Sequence, residues 1–373
     1  SVSLWSHFIE PRTIFCCLLR DLHMCSLLLS LLLVGASTLA EGCTKVFTNY
    51  YPSKFEEDWV THIETYQSNI CTIIDSKNQQ RAWFKTWLDT MDAITVESRE
   101  PGGSCGPSRA RAEATPEVFS RMEYQYICPK NKHPLHEQRF NESIEPLVGF
   151  LRDPRPVCHK KQSPVSLEDK NFIMFSSFNC RASPSAATST SSSSDKKLRP
   201  PRLIIADLGS TTYLYSLSGP SQSFLYDKYT SSGYTHLERL LAWEAKPYPK
   251  TQGLFDQVPV EVMPHYQFYN VKINADKGGK YNPLTHVKGI AKPKDFVSLK
   301  LDVDNSDIEF SLIEQIISDP GMYSLIDEFF FEHHSNVKEF QWAWKEQVRG
   351  TMADGYKFFR KMRELGIRAH SWI

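Results

Sequence analysis

Three acids close short apolar runs in the second half of this sequence. Asp207 ends Leu203-Ile204-Ile205-Ala206, Glu244 ends Leu240-Leu241-Ala242-Trp243, and Asp302 follows Val297-Ser298-Leu299-Lys300-Leu301. A continuous apolar run of this kind reads as a buried parallel strand. Parallel strands present their carboxyl ends on one rim, where open α/β sheets bind ligands. The three carboxylates are therefore expected to converge there. Each alone could merely cap a helix, but three on consecutive elements favour a ligand rim. After Asp207 come Leu208, Gly209 and Ser210, and a glycine lets the backbone approach a ligand that a Cβ would repel. Glu244 stands where a carboxylate would accept hydrogen bonds from ribose hydroxyls. The gap 244 − 207 = 37 exceeds the usual spacing of about 20 residues, so the loop and helix between must be long.

His333 and His334 follow the fifth apolar run directly. A histidine titrates near neutrality and suits proton abstraction from a sugar hydroxyl. Either histidine by itself fits packing or solvation equally well; taken as a pair with Asp302 they are the candidate catalytic residues. Asp302-Val303-Asp304 is also an Asp-x-Asp pattern, which with the histidines could hold a divalent metal. That leaves a metal-dependent glycosyltransferase as a second reading.

The elements that must position these residues alternate. The first strand, ending at Asp207, leads to a helix that begins at Gly219-Pro220, carries Phe224, Leu225 and Tyr229, and stops near Gly233. Further strands are expected at 237–244, 268–275, 296–304 and 324–331. Ser306 with Glu309 forms a capping box for a helix that buries Ile308, Leu312, Ile313, Ile316 and Ile317. Phe340, Trp344, Val348, Met352 and Tyr356 step by four along a long final helix, ended by Gly366, and residues 367–373 supply a last edge strand. This alternation predicts a doubly wound, mostly parallel α/β sheet over 202–373 with central strand order 3-2-1-4-5.

Residues 41–182 form a cysteine-containing, largely helical region, and the Ser-rich stretch 183–201 is a linker. Trp83, Phe84, Trp87, Leu88 and Met91 mark one helix face, and Trp59, Ile63, Tyr66 and Ile70 another. The apolar segment 144–154 is expected to pack on the sheet, and 171–175 to form a short strand. Of the nine cysteines, Cys16, Cys17 and Cys25 lie in or before an uncharged leucine-rich run that starts at Met24. That run ends in small residues near Ala36 and Ala40, so 1–40 reads as a signal peptide or, alternatively, a signal anchor in the membrane, with 1–23 outside the natural start. Cys43, Cys71, Cys105, Cys128, Cys158 and Cys180 all precede Asp207, which suggests disulfides formed in the secretory pathway. Asn141-Glu142-Ser143 is a glycosylation sequon. Lys+Arg and Asp+Glu both number 43, so no basic excess argues for nucleic acid.

The second half also resembles a family. Asp207-Leu208-Gly209 with Trp243-Glu244, and 297–304 with Glu309, is similar to the FkbM-type methyltransferases. The endings Phe331-Glu332-His333-His334 and Gly366-Ile367-Arg368-Ala369-His370-Ser371-Trp372 resemble an uncharacterised algal and oomycete branch of them. The likeness covers 201–373. It implies a Rossmann-like sheet, S-adenosylmethionine held by Asp207, Gly209, Ser210 and Glu244, and O-methylation of a glycan or small hydroxylated substrate. Two departures stand out. Asn305-Ser306 replaces the family's glycine, and Ser210-Thr211-Thr212-Tyr213-Leu214 replaces a second glycine soon after the first. A non-catalytic secreted protein on the same sheet is the reading those departures favour.

Overall fold

The computed structural model describes residues 44–99, 105–127, 137, 139–159, 163, 165–182, 200–214, 222–248, 251–340, 344 and 348–373. The expected signal segment 1–40 and most of the Ser-rich linker lie outside them. Six strands form one sheet: β4 (Arg202–Leu208), β5 (His236–Trp243), β6 (Tyr266–Tyr269), β7 (Phe296–Leu301), β8 (Glu328–Phe331) and β9 (Arg368–Ser371). Their spatial order is β6-β5-β4-β7-β8-β9 and every pairing is parallel. This is the expected 3-2-1-4-5 order, extended at one edge by β9. The sheet is Rossmann-like and doubly wound. Leu203–Leu208 of β4 and all of β7 and β8 are buried, as strands covered on both faces must be.

Chain order reverses between β4 and β7. From β4 the chain moves outward to β5 and β6, then returns to β7 on the other side. A crevice opens at such a switch point, outside the strands' carboxyl ends.

Residues 44–182 carry the expected helices together with a small sheet. β1 (Thr44–Tyr51), β2 (Ser120–Ile127) and β3 (Arg139–Ile144) form an antiparallel sheet of their own. Helices α1 (Lys54–Thr61) and α2 (Gln79–Glu97) bury Trp59, Phe84, Trp87, Leu88 and Met91, as their spacing requires. The expected strand at 171–175 is irregular buried chain instead. Its Met174 N–H donates to the Glu145 carboxylate at 2.9 Å, so a side chain takes the bond a strand neighbour would have taken. Residues from both halves belong to one hydrophobic cluster within the compact unit Gly42–Ile373.

In the second half, α3 (Gln222–Ser231) ends before Gly233, and α4 (Ser306–Ser318) buries Leu312, Ile313 and Ile316. Its cap is Asn305, whose side chain accepts from the Ile308 N–H, one residue earlier than the Ser306 box expected. Glu309 reaches back to the Val303 N–H at 2.9 Å instead. The long final helix is also corrected. Phe340 lies in a short 3-10 turn, Gly350 takes φ +77°, and the last helix, α5 (Met352–Glu364), starts only there, capped by Thr351 and Asp354.

Cys71–Cys158 and Cys105–Cys180 are disulfides, whereas Cys43 and Cys128 lie outside the described residues. Such bonds suggest an oxidising, extracellular or secretory environment. Among the described residues no helix is long and apolar enough to cross a membrane.

Candidate functional site

A cavity of about 490 Å³ lies at the switch point. Asp207 and Gly209 reach it from the end of β4, Trp243 and Glu244 from β5, Lys300, Asp302 and Asp304 from β7 and its loop, and Glu332 from β8. Val271, Lys272 and Ile273 after β6 and Trp372 after β9 complete much of the wall. Strand register brings the first acids together. Asp207 pairs with Lys300 across β4 and β7, and Leu208 with Trp243 across β4 and β5.

Lys300 is the electrostatic centre of the floor. Its Nζ lies 3.1 Å from Asp207 Oδ1 and 3.1 Å from Asp302 Oδ2, with the lysine and Asp207 both buried. Burial disfavours the ammonium, but Asp207 and Asp302 outweigh it and hold the lysine charged above its usual range. Asp302 is pushed up to about 8, first by burial and then by the adjacent Glu332 carboxylate, against the pull of Lys300. Glu332 goes the other way. Burial opposes its charge, but bonds from His334 and Asp302 hold it well below the usual carboxylate range.

Gly209 takes φ +80°, and a Cβ there would come 1.4 Å from the Asp302 carbonyl oxygen. The glycine therefore serves the close passage of the β7 chain as well as the cavity wall. Its N–H and that of Ser210 both donate to the Trp243 carbonyl, at 3.0 and 2.8 Å, which pins the turn to β5. Glu244, half-buried, accepts from the Lys246 N–H through Oε1 at 2.6 Å. Beside it Trp243 stacks on Tyr269 at 4.9 Å between centroids.

Four sequence-predicted residues, Asp207, Gly209, Glu244 and Asp302, meet in this cavity. Ser210 does not line it. Its side chain is buried and its Oγ accepts from Gln222 Nε2. His333 is also absent from the wall. Its ring stacks on Phe331, Nε2 meets the Arg349 carbonyl at 2.9 Å, and burial lowers its pKa. Those contacts are the ones a packing histidine makes. His334 sits one layer behind the wall, with Nε2 3.5 Å from Glu332 Oε2 and its ring stacked on Trp344. Burial alone would lower its pKa, but the bond to Glu332 raises it.

Glu332 and Lys300 were not singled out from sequence. Lys300 sits at the alternate position from Asp302 on one strand, so a period-2 reading of 300–302 places both on one face. Glu332 carries the same signal as the three acids singled out, since it closes the apolar run Phe329-Phe330-Phe331 at the end of β8. Among the described residues no group of three or more His, Cys, Asp or Glu side chains is arranged to hold a metal ion. Comparison of the chain with protein-family models, curated proteins and solved structures returns no match. The chemistry of the cavity must be read from its own residues.

Proposed function

We propose that this chain is an S-adenosylmethionine-dependent methyltransferase that methylates a hydroxyl of a glycan or other small hydroxylated substrate in the secretory pathway. The observation that carries the reading is the character of the switch-point cavity. Its wall holds the carboxylates Asp207, Glu244, Asp302, Asp304 and Glu332 against the cations Lys272 and Lys300. An acid-rich wall attracts a ligand bearing sulfonium and ammonium charges and repels a diphosphate. Glu244, at the end of the strand next to β4, would accept the ribose hydroxyls, and the Asp207–Gly209 turn would lie under the methionine end. The resemblance of 201–373 to the FkbM-type enzymes agrees with this division.

The bound cofactor would supply an electrophilic methyl group. The protein's contribution is to hold and orient, with Asp302 on the acceptor side of the cavity and the buried Lys300 fixing Asp207 and Asp302 relative to each other.

The glycosyltransferase reading needs a metal at Asp302 and Asp304 to offset a diphosphate. Lys300 already occupies one side of Asp302, and Asp304 points largely to solvent, with its side chain 72% exposed. The non-catalytic reading draws on the residues that replace the family's second glycine. Calorimetry with S-adenosylmethionine, and separately with nucleotide-sugars plus manganese, decides among the three. Saturable binding of the first alone is expected. Binding of the second alone, or of neither, would overturn the proposal.

A further inference from the structure

β3 runs from solvent into the core, and the triplet Asn141-Glu142-Ser143 straddles the boundary. Strand side chains alternate between faces. Phe140 stacks on Tyr126 and Tyr124 of β2, at 4.7 and 5.5 Å between centroids, which fixes one face. Asn141 therefore projects from the other face, and it is exposed. β3 has β2 on one side only, with Asn141 opposite Glu123, so it is an edge strand of its sheet. Two residues on, the chain is inside. The Ser143 carbonyl accepts from Arg368 Nη2 at 3.2 Å, and Glu142 Oε2 lies 3.5 Å from Arg368 Nη1. The Ser143 side chain is buried, and its Oγ has no hydrogen-bond partner among the described residues.

A buried hydroxyl that makes no bond gives up its hydration for no return. Packing thus has no use for the Ser143 hydroxyl, which alanine would spare. An earlier step has a use for it. A hydroxyl two residues after an asparagine is what an oligosaccharide transferase requires of its acceptor. The full sequence holds one Asn-x-Ser/Thr triplet, and it is this one. The disulfides Cys71–Cys158 and Cys105–Cys180 suggest the compartment in which that reaction occurs.

We propose that Asn141 carries an N-linked oligosaccharide, attached to the extended chain before β3 packs. The donor class is an oligosaccharide on a polyprenyl diphosphate. A bond forms between the Asn141 amide nitrogen and the anomeric carbon of the first sugar. The bond from that carbon to the diphosphate oxygen breaks, and its electron pair leaves with the diphosphate. The amide nitrogen gives up one proton, and nothing is oxidised or reduced. Transfer precedes packing because the folded chain hides the Ser143 hydroxyl. After folding the sugar stands in solvent, and Glu142 and Ser143 take their places against Arg368 unchanged. The switch-point cavity is lined by residues from Asp207 onwards, so the glycan leaves it open. The inference therefore stands apart from the methyl-transfer reading.

The test uses the full chain recovered from the medium of a eukaryotic host. Mass spectrometry should find an oligosaccharide on the peptide containing Asn141. An amide-cleaving glycosidase in heavy-oxygen water should then leave a labelled aspartate at that position. Asn141→Gln and Ser143→Ala should each abolish the modification, and Ser143→Thr should keep it. Ser143→Ala should melt no lower than the parent, since the lost hydroxyl made no bond. Chain folded without the sugar and then offered to microsomal membranes should stay unmodified, whereas reduced, unfolded chain should accept it. An unmodified Asn141 in the parent, or a modification that survives both Asn141→Gln and Ser143→Ala, would overturn the site. Equal modification of folded and unfolded chain would overturn the order of events. Asn141→Gln should match the parent in calorimetry with S-adenosylmethionine, so the failure of one proposal is not mistaken for the failure of the other.

Discussion

The carbonyl oxygen of Asp302 lies where the Cβ of any residue but glycine at position 209 would stand, 1.4 Å from it. The two residues follow adjacent central strands, and the Asp302 N–H donates to the Leu208 carbonyl at 3.0 Å, so neither backbone can withdraw without breaking that pairing. Gly209→Ala should therefore displace the β4 and β7 ends together. Its left-handed backbone alone costs about 1–3 kcal/mol with a side chain present, and the clash adds to that. A lowered melting temperature, with any ligand affinity of the cavity reduced more than global stability, is the expected result. An alanine variant that melts and binds like the parent would contradict the geometry.

Lys300 is buried between two carboxylates, and the pair is asymmetric in what its loss leaves behind. Lys300→Met removes the cation and strands the Asp207 carboxylate, beside an Asp302 that burial already pushes up to about 8. Breaking a buried ion pair from one side costs about 3–5 kcal/mol, because the remaining charge is uncompensated. Denaturant unfolding should show a loss of that size at neutral pH. The loss should shrink in acid, where the carboxylates take up protons. Asp207→Asn combined with Lys300→Met should recover part of the stability, since one stranded charge is gone.

The sheet was legible because its signals are local. Apolar runs ending in Asp207, Glu244 and Asp302 are buried strands in the expected order, and register then assembles the cavity. The antiparallel sheet at 44–144 was legible in principle. In β2, Met122, Tyr124 and Tyr126 alternate with polar residues and are buried in that rhythm. The aromatic helix faces nearby are the stronger periodic signal in that region. The final helix misled for another reason. The four-residue step from Phe340 to Tyr356 runs through Gly350, whose φ of +77° ends any helical continuation. Pairings between distant side chains left no sequence signal. His333 against the Arg349 carbonyl depends on where whole elements pack.

The junction of the first region with the last helix and strand is charged and buried. Arg363 on α5 lies 3.1 Å from Glu145 Oε1, and His370 Nδ1 lies 2.6 Å from the same oxygen. Arg368 and His370 likewise meet Glu328, at 3.2 and 3.0 Å. Burial works against ionised Glu145, but His370, Arg363 and the Met174 N–H outweigh it, so its folded pKa lies below the ordinary value. Glu328 is depressed in the same way. A depressed carboxylate contributes stability that is present above its unfolded pKa of about 4.3 and is lost as pH falls towards the folded value. Stability should thus drop steeply below about pH 4. Glu145→Gln should be less stable than the parent at neutral pH and show a shallower acid slope. Equal acid slopes in the two proteins would remove Glu145 from the linkage.

The disulfides Cys71–Cys158 and Cys105–Cys180 span 87 and 75 residues. Bonds closing loops of this length contribute about 2–5 kcal/mol each. Protein recovered from culture medium should resist thiol labelling at these four positions, and reductant should lower its melting temperature. Full labelling without reductant would place the chain in a reducing compartment instead.

Glu244 carries the most direct test of the cofactor. It follows β5 on the cavity wall, beside the Trp243–Tyr269 stack, and its Oε1 accepts a bond from the Lys246 N–H. A carboxylate receiving ribose hydroxyls makes charge-assisted hydrogen bonds worth about 1.5–3 kcal/mol each. At about 1.4 kcal/mol per decade, removing one weakens binding roughly tenfold or more. Glu244→Gln keeps the shape and removes the charge. Because the residue is half-exposed and, among the described residues, makes no buried ion pair, the fold should lose little stability. Titration calorimetry with S-adenosylmethionine should therefore show roughly tenfold weaker binding with an unchanged melting temperature of the free protein. Asp302→Asn should bind the cofactor with parental affinity if, as proposed, its carboxyl serves the acceptor side of the cavity. Unchanged affinity in Glu244→Gln would move the ribose elsewhere in the cavity. A loss in Asp302→Asn matching that in Glu244→Gln would mean the cofactor lies across the β7 side, and the acceptor would then have to enter from β6.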